Sequence, residues 1–454
     1  MVMMFGIMSI CILFISFLLF KKAFRTMNVQ YYMPHMHMFY YQLVVMCLIG
    51  GMLLVGGVRS TTLQEFGVTN ESVVLTIFSV WYVMIMIPLC CFIFLKRNNV
   101  EARITTYIKK ESIVRDTIAV RWFWGIGTLI SLFCVGYLYV YDAPIFLYLK
   151  GTIGRVLLSR VAYGREFEGS YFIKNVLGQS VAVMISYVTF VYFYLTKKRF
   201  WRNLFFIDFA CGVIIAGASL SKAGIIVYII VYIFLLVAMG YKFNIKRIVA
   251  WGCPLILLVI LAYRVQQGEG FDLKRILFDF HSGPIGRILF MQIQSLPAYF
   301  MIFPSSHPFT WGKGIALLRF VGLPHVESAR VVAEFLEPTG VEQGWVGVAN
   351  TLFIGDAFAN FGWIGVIISP VLVAFWFSFF YKKWLTSKKE PIKIVGYVMI
   401  LDNLISSITG GFCAAYIINT KVIVLVCMMV LFEIYICLVD KRTIILKKRR
   451  KEMK

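Results

Sequence analysis

The chain has 454 residues, of which 60% are hydrophobic and only 15% are charged, and its formal net charge is +23. A composition this apolar excludes an ordinary soluble domain and indicates a polytopic membrane protein. The positive charge does not indicate nucleic-acid binding, because the basic residues are spread over several loops and form no single basic stripe.

Apolar stretches of about 20 residues, long enough to cross a bilayer as a helix, recur along the chain. The first is interpreted as a retained helix and not as a signal peptide, because it lacks a basic leader and is followed by Lys21 and Lys22. We predict an all-α integral membrane protein with about eleven transmembrane helices. They lie at 2–20, 38–57, 73–95, 120–141, 175–195, 203–220, 223–240, 248–263, 362–380, 391–409 and 418–438.

Lysine and arginine concentrate in alternate loops, at 21–25, 96–121, 197–202, 242–247, 382–393 and in the tail. By the positive-inside rule these loops are cytoplasmic, so the amino terminus lies outside and the carboxyl terminus inside. The predicted organisation has four parts, namely eight helices in 1–263, a long and partly helical extracytoplasmic segment in 264–361, three helices in 362–440 and a basic cytoplasmic tail in 441–454. So long a segment between membrane helices is usually functional.

All ten cysteines lie in or at the edge of predicted helices, and none has the spacing of metal ligands. We therefore expect neither disulfides nor a metal site.

The stretch GASLSKAGIIV (217–227) places Lys222 at the outer end of the sixth predicted helix. Two interpretations stay open, a lysine that snorkels at a tight helical turn or an anion site formed with Ser221 and the amino terminus of the next helix. Arg160 and Arg165 add outer-side cations after the fourth predicted helix. A surplus of outer cations favours an anionic partner, although single arginines more often pair with neighbouring acids.

The stretch FDLKRILFDFHSGPIGRILFMQIQSLPAYF (271–300) predicts an amphipathic helix, a Gly-Pro break and a second helix. A helix lying in the membrane surface would hold Arg275 and Arg287 at headgroup depth. The planar guanidinium group suits pyrophosphate oxygens. A lid or a packing element is the alternative.

The stretch GVANTLFIGDAFANFGWIGVIISPVL leads into the ninth predicted helix. Asp356 and Asn360 are four residues apart, so they share one helical face. Gly355, Gly362 and Gly365 permit close contact between helices. An acid at this depth is either a site residue or the partner of a cap or cation.

The order and spacing of these features resemble the O-antigen and capsule repeat-unit polymerases (Wzy-type). SLSKAGIIVY (219–228) and FIGDAFANFGWIGVIISPVL (353–372) carry the resemblance, and the first third of the chain is similar in topology only. The resemblance implies a metal-independent glycosyltransferase of the GT-C-like class, without a cofactor, in the bacterial cytoplasmic (inner) membrane. Such an enzyme transfers a growing glycan from undecaprenyl pyrophosphate to another lipid-linked repeat unit at the outer face.

The resemblance also implies roles for particular residues. A general base would come from Asp356, Glu342 or His325, in that order. The residues expected to bind pyrophosphate or substrate are Lys222, Ser221, Arg275, Arg287, Arg160, Arg165 and Asn360. Where the related O-antigen ligases carry a histidine before a Gly-x-x-Gly, this chain has Asn350, which weakens the case for a histidine base.

The implied partners are undecaprenyl-pyrophosphate-linked oligosaccharides and membrane lipids, together with a chain-length regulator and a flippase. Two other functions stay open. The protein is alternatively an O-antigen ligase, or a flippase for lipid-linked sugars, which the acids Asp208, Asp402 and Glu433 within predicted helices would favour.

Overall fold

The computed structural model describes residues 2–28, 31–96, 106–152, 156–242, 284–315, 318, 322–344 and 346–452. All regular structure in these residues is helical. The helices of five residues or more before residue 243 are α1 (Val2–Phe24), α2 (Pro34–Val55), α3 (Thr61–Phe66), α4 (Asn70–Lys96), α5 (Ile118–Val140), α6 (Pro144–Leu149), α7 (Val156–Arg165), α8 (Phe172–Thr196), α9 (Arg199–Gly217) and α10 (Lys222–Ala238). Those after residue 283 are α11 (Pro284–Leu289), α12 (Leu296–Ile302), α13 (Ser328–Leu336), α14 (Pro338–Glu342), α15 (Ile354–Thr386), α16 (Pro391–Thr409), α17 (Cys413–Ile417) and α18 (Thr420–Glu452).

Within the described residues, nine helical stretches are long and apolar enough to cross a membrane, so the chain is a multi-pass membrane protein. They coincide with the predicted helices other than the seventh and eighth. The seventh corresponds to α10, which is apolar but has 17 residues and a length of about 25 Å. The eighth, at 248–263, lies outside the described residues.

Short hydroxyl side chains set where several helices begin. Ser60 accepts a hydrogen bond from the backbone N–H of Leu63 at 3.3 Å before α3. Thr117 accepts one from the N–H of Val120 at 3.3 Å before α5. These bonds satisfy N–H groups that have no partner inside the helix.

The chain divides into two compact units, and each combines segments from both ends of the sequence. The first unit contains 1–108, 240–385 and 401–419, and the second contains 109–239, 386–400 and 420–454. In the described part of the long segment between α10 and α15, α11 packs against α2, α12 against α4 and α13 against α3. The linear organisation of the sequence does not indicate these contacts.

The helices of the first unit are joined by hydrogen bonds from buried or half-buried side chains. Trp81 of α4 donates through Nε1 to the hydroxyl of Ser9 in α1 at 2.9 Å. Tyr82 of α4 donates to the carbonyl of Ile367 in α15 at 2.9 Å. A polar group inside an apolar bundle is costly when unpaired, so these bonds fix which helix faces meet.

A half-buried carboxylate lies just before α5 in the second unit. Asp116 accepts hydrogen bonds from Arg121 at 2.8 and 2.9 Å, from Lys198 at 2.5 Å and from the indole N–H of Trp201 at 3.1 Å. The hydrogen bonds from Arg121, with those from Lys198 and Trp201, hold the pKa of Asp116 well below its usual range. Asp116 thus joins α5 to the start of α9.

Replacing this carboxylate should destabilise the second unit. Asp116→Asn is expected to cost about 2–3 kcal/mol, because the cations keep only part of their hydrogen bonding. Asp142→Asn is the matched control, since its side chain is 57% exposed and pairs with Lys150 at 2.7 Å, where the loss should stay below about 1 kcal/mol. Thermal unfolding in detergent measures both, and equal midpoints for the two variants would contradict the assignment.

Candidate functional site

A cavity of about 230 Å³ lies inside the first unit, at the beginning of α15. Its volume equals that of roughly eight water molecules. The cavity therefore has room for a molecule of one small ring and not for several linked rings. Five segments line it, namely α12, the turn at 310–315, residues 325–329, residues 350–356 and the break at 410–414 between α16 and α17.

Gly362 interrupts α15 and leaves residues 354–361 as a separate helical segment. Its backbone has φ 60° and ψ −147°, a conformation that only glycine adopts without strain. The interruption frees carbonyls at the end of the segment. Those of Ala359 and Asn360 accept from the backbone N–H groups of Thr310 and Trp311 at 2.9 and 3.0 Å. These two hydrogen bonds hold the 310–315 turn beside the start of α15, where the turn lines the cavity.

Asn360 is fully buried and uses its whole amide inside the protein. Its Nδ2 donates to the carbonyl and to Oδ1 of Asp356 at 2.8 and 2.9 Å. Its Oδ1 accepts from the hydroxyl of Thr310 at 2.7 Å and from the N–H of Gly314 at 3.3 Å. An amide has two donors and two acceptor positions, so Asn360 has none left for a ligand and instead positions Asp356.

Asp356 lies at the cavity wall and is 7% exposed. Its Oδ1 accepts from the hydroxyl of Ser328 at 2.6 Å and from Asn360, and its Oδ2 accepts from the backbone N–H of Cys413 at 2.9 Å. The positive end of the α15 dipole also favours a negative charge here. The carboxylate therefore ties α13, α15 and α17 together.

Two neutral hydroxyl groups face the same site. Thr351 is 2% exposed and lines the cavity, and its Oγ1 has no hydrogen-bond partner among the described residues. Tyr299 donates to the carbonyl of Ala349 at 3.0 Å. Burial, and then the charge of Asp356, raise the pKa of Tyr299 well above its usual value, so its phenol keeps its proton. A buried hydroxyl without a partner favours a polar ligand in the cavity.

His325 and Glu327 enter the cavity from the extended segment before α13. Residues two apart on an extended chain point to the same side, which explains why both line it. Glu327 is exposed and His325 half-buried. The structure thus brings His325, Asp356 and Asn360 of the predicted site together around one cavity.

The other predicted site residues of the first unit lie elsewhere or outside the described residues. Glu342 is exposed at the end of α14, and Arg287 is exposed in α11, and neither lines the cavity. Arg275 lies outside the described residues. The predicted first helix of 271–300 lies outside the described residues. In place of the predicted second helix there are two short ones, α11, which begins at Pro284, and α12.

Four predicted residues belong to the second unit. Lys222 is the first residue of α10, and Ser221 precedes it as the N-cap residue without a capping hydrogen bond from its side chain. Arg160 and Arg165 lie in α7, and both are half-buried. None of the four lines the cavity of the first unit.

Several residues at the cavity are not indicated by the sequence pattern. Ser328 and Glu327 lie in a segment without a recognisable motif, and the pattern of the GVANTLFIGDAFANF stretch points to Asp356 and Asn360 and not to Thr351. The Gly410-Gly411 pair, which lines the cavity where α16 ends, carries the one usable signal, because adjacent glycines in an apolar pattern mark a break.

The chain matches no protein-family model, no curated protein and no solved structure. Fold and cavity together define a multi-pass α-helical membrane protein with a small polar cavity, lined by carboxyl, hydroxyl and amide groups.

The geometry of Gly362 makes a direct prediction. Gly362→Ala should destabilise the first unit by at least about 2 kcal/mol, because a side chain here is strained and its Cβ would lie 3.2 Å from the ring of Phe309. Gly125→Ala in α5 is the control, since no atom lies within 4 Å of its added Cβ, and it should be neutral or stabilising by up to about 1 kcal/mol. Thermal unfolding midpoints decide, and a Gly362→Ala midpoint at or above that of the wild type would contradict the kink.

Proposed function

We propose that the protein is a polymerase of lipid-linked oligosaccharide repeat units, a GT-C-like glycosyltransferase with eleven transmembrane helices in the bacterial cytoplasmic membrane. Its amino terminus is outside and its carboxyl terminus is cytoplasmic. It joins repeat units carried on undecaprenyl pyrophosphate into O-antigen, capsule or exopolysaccharide at the outer face, without a metal. The order of motifs at 219–228 and 353–372 supports this proposal.

The observation that carries the proposal is the composition of the cavity wall. None of the described residues that line the cavity is a lysine or an arginine, whereas Asp356, Glu327, His325 and Thr351 all reach it. Carboxylate and hydroxyl groups suit sugar hydroxyls, and the two carboxylates repel phosphate. The cavity is therefore assigned to the terminal sugar of the acceptor.

The donor pyrophosphate needs cations and must bind outside this cavity. Arg287 and Arg275 on the long segment, together with Lys222, Arg160 and Arg165, are the assigned candidates. Guanidinium groups would hold the oxygens by charge-assisted hydrogen bonds. Stabilising the charge that develops on the departing pyrophosphate is a large part of the required catalysis.

In the proposed reaction an acceptor hydroxyl oxygen forms a bond to the anomeric carbon of the donor glycan. The bond between that carbon and the pyrophosphate oxygen breaks, and its electron pair leaves with undecaprenyl pyrophosphate. The hydroxyl proton passes to a base of the protein. The products are a glycan longer by one transfer and the free lipid pyrophosphate.

Purified protein in lipid nanodiscs tests the proposal directly. Given undecaprenyl-pyrophosphate-linked repeat units, it should yield a ladder of longer glycans and release undecaprenyl pyrophosphate. Cells that lack the protein should carry single repeat units on lipid A or on the carrier. A wild-type protein that folds but forms no ladder would overturn the proposal.

Substitution of the cations tests the pyrophosphate assignment. Lys222→Ala, Arg275→Ala and Arg287→Ala should each lower elongation about 10- to 100-fold where the side chain bonds pyrophosphate, since such hydrogen bonds contribute about 1.5–3 kcal/mol. Arg330→Ala is the control, because Arg330 is exposed and pairs with Glu334 on its own helix at 2.9 Å. Full-length glycan in all three variants, at equal protein level, would contradict the assignment.

A flippase for lipid-linked sugars is the second candidate, and the broken helices favour it. The helical course is interrupted at Gly362 and again at Gly410-Gly411, and both breaks adjoin the Asp356 site. Carriers often build substrate sites from interrupted helices. Loss of a flippase removes even single surface repeat units, so the phenotype of the deletion separates the two functions.

A further inference from the structure

We infer that Glu327 is the general base for the acceptor hydroxyl and that Asp356 is the residue that positions the cavity wall. This inference rests on the proposed function, because it assigns roles within the acceptor cavity. The sequence alone favours other bases, with Asp356, Glu342 and His325 as the candidates in that order.

The hydrogen bonds of Asp356 suit a carboxylate that positions the cavity wall better than one that takes up a proton in each turnover. Its Oδ1 has both acceptor positions occupied, by Ser328 at 2.6 Å and Asn360 at 2.9 Å. Its Oδ2 accepts from the N–H of Cys413 at 2.9 Å. A proton taken up here would weaken bonds that join three helices, so each turnover would loosen the cavity wall.

Glu327 has the access that Asp356 lacks. Its backbone is held in place, because its carbonyl accepts from the N–H groups of Arg330 and Val331 at 3.0 and 3.2 Å in the first turn of α13. Its side chain makes no capping hydrogen bond and forms no hydrogen bond or ion pair with the described residues. An exposed carboxylate on a fixed backbone at the cavity can approach a bound hydroxyl.

The remaining titratable groups at the cavity are less suitable. Tyr299 keeps its proton and donates a hydrogen bond to the carbonyl of Ala349. His325 is half-buried and has interactions of its own, so it is assigned to orient the acceptor. Thr351 offers the unpartnered hydroxyl that would bond a second oxygen of the same sugar.

The proton transfer balances without a further reactant. As the acceptor oxygen bonds to the anomeric carbon, the Glu327 carboxylate takes the hydroxyl proton. The electron pair of the breaking carbon–oxygen bond leaves with undecaprenyl pyrophosphate. Glu327 then returns its proton to bulk water, which it reaches because its side chain is exposed.

Five variants in the nanodisc assay test the inference, namely four substitutions of acidic residues and His325→Gln. Glu327→Gln should lower kcat about 10²- to 10⁴-fold, with KM and the unfolding midpoint nearly unchanged. Glu327→Asp should restore part of kcat. Asp356→Asn should instead lower the unfolding midpoint, because its new amide N–H₂ cannot accept from the N–H of Cys413. Glu334→Gln, an exposed acid of the same helix paired with Arg330, should leave kcat unchanged.

The outcomes separate this inference from the proposed function. Polymer formation by the wild type, with a Glu327→Gln kcat within tenfold of it, would overturn the inference and leave the polymerase standing. The inference would also be overturned if His325→Gln lowered kcat as much as Glu327→Gln or more, because the base would then be His325. A Glu327→Gln midpoint as low as that of Asp356→Asn would give Glu327 a structural role and overturn the inference. No polymer from the wild type would overturn both.

Discussion

The cavity of the first unit depends on the hydrogen bonds that one carboxylate accepts. Asp356 accepts hydrogen bonds from Ser328 of α13, from the backbone N–H of Cys413 in α17 and from Asn360 in the next turn of its own helix. A carboxylate that is only 7% exposed is costly unless donors replace its hydration. Two of these donors, Ser328 and Cys413, belong to the short helices α13 and α17. The burial of Asp356 and the positions of α13 and α17 therefore stabilise each other.

The interruption at Gly362 makes this arrangement possible. A continuous helix would satisfy the carbonyls of Ala359 and Asn360 internally, and the 310–315 turn would have nothing to bind. Because glycine adopts the required backbone angles, the first eight residues of α15 end early and present those carbonyls to Thr310 and Trp311. A backbone break inside a membrane helix is tolerated only where protein groups satisfy it, and here they also build a cavity wall.

The sequence predicts the membrane helices well because their signal is local. An apolar stretch of sufficient length specifies a helix by itself, and the nine long helices among the described residues lie where the composition places them. The pairing of Asp356 with Asn360 is equally local, since residues four apart meet on a helix. The partners Ser328 and Cys413 are 28 and 57 residues away, and no local pattern specifies such contacts. The sequence also does not predict that α15 begins at Ile354, eight residues before the predicted span. The stretch IGDAFANF mixes polar and apolar residues, and its helix is stabilised by these distant bonds.

The charge of the cavity limits which part of the proposed reaction it can hold. A phosphate oxygen 4 Å from a carboxylate would be repelled by about 4 kcal/mol at an effective dielectric constant near 20, close to a thousandfold in affinity. A neutral sugar hydroxyl suffers no such repulsion and gains a hydrogen bond. A polymerase must keep a proton acceptor beside the attacking hydroxyl and cations beside the departing pyrophosphate, and one small pocket with both would form an internal ion pair. The described residues of the cavity wall supply carboxyl and hydroxyl groups and no lysine or arginine. This composition suits an acceptor subsite if the cations bind the donor pyrophosphate at another place.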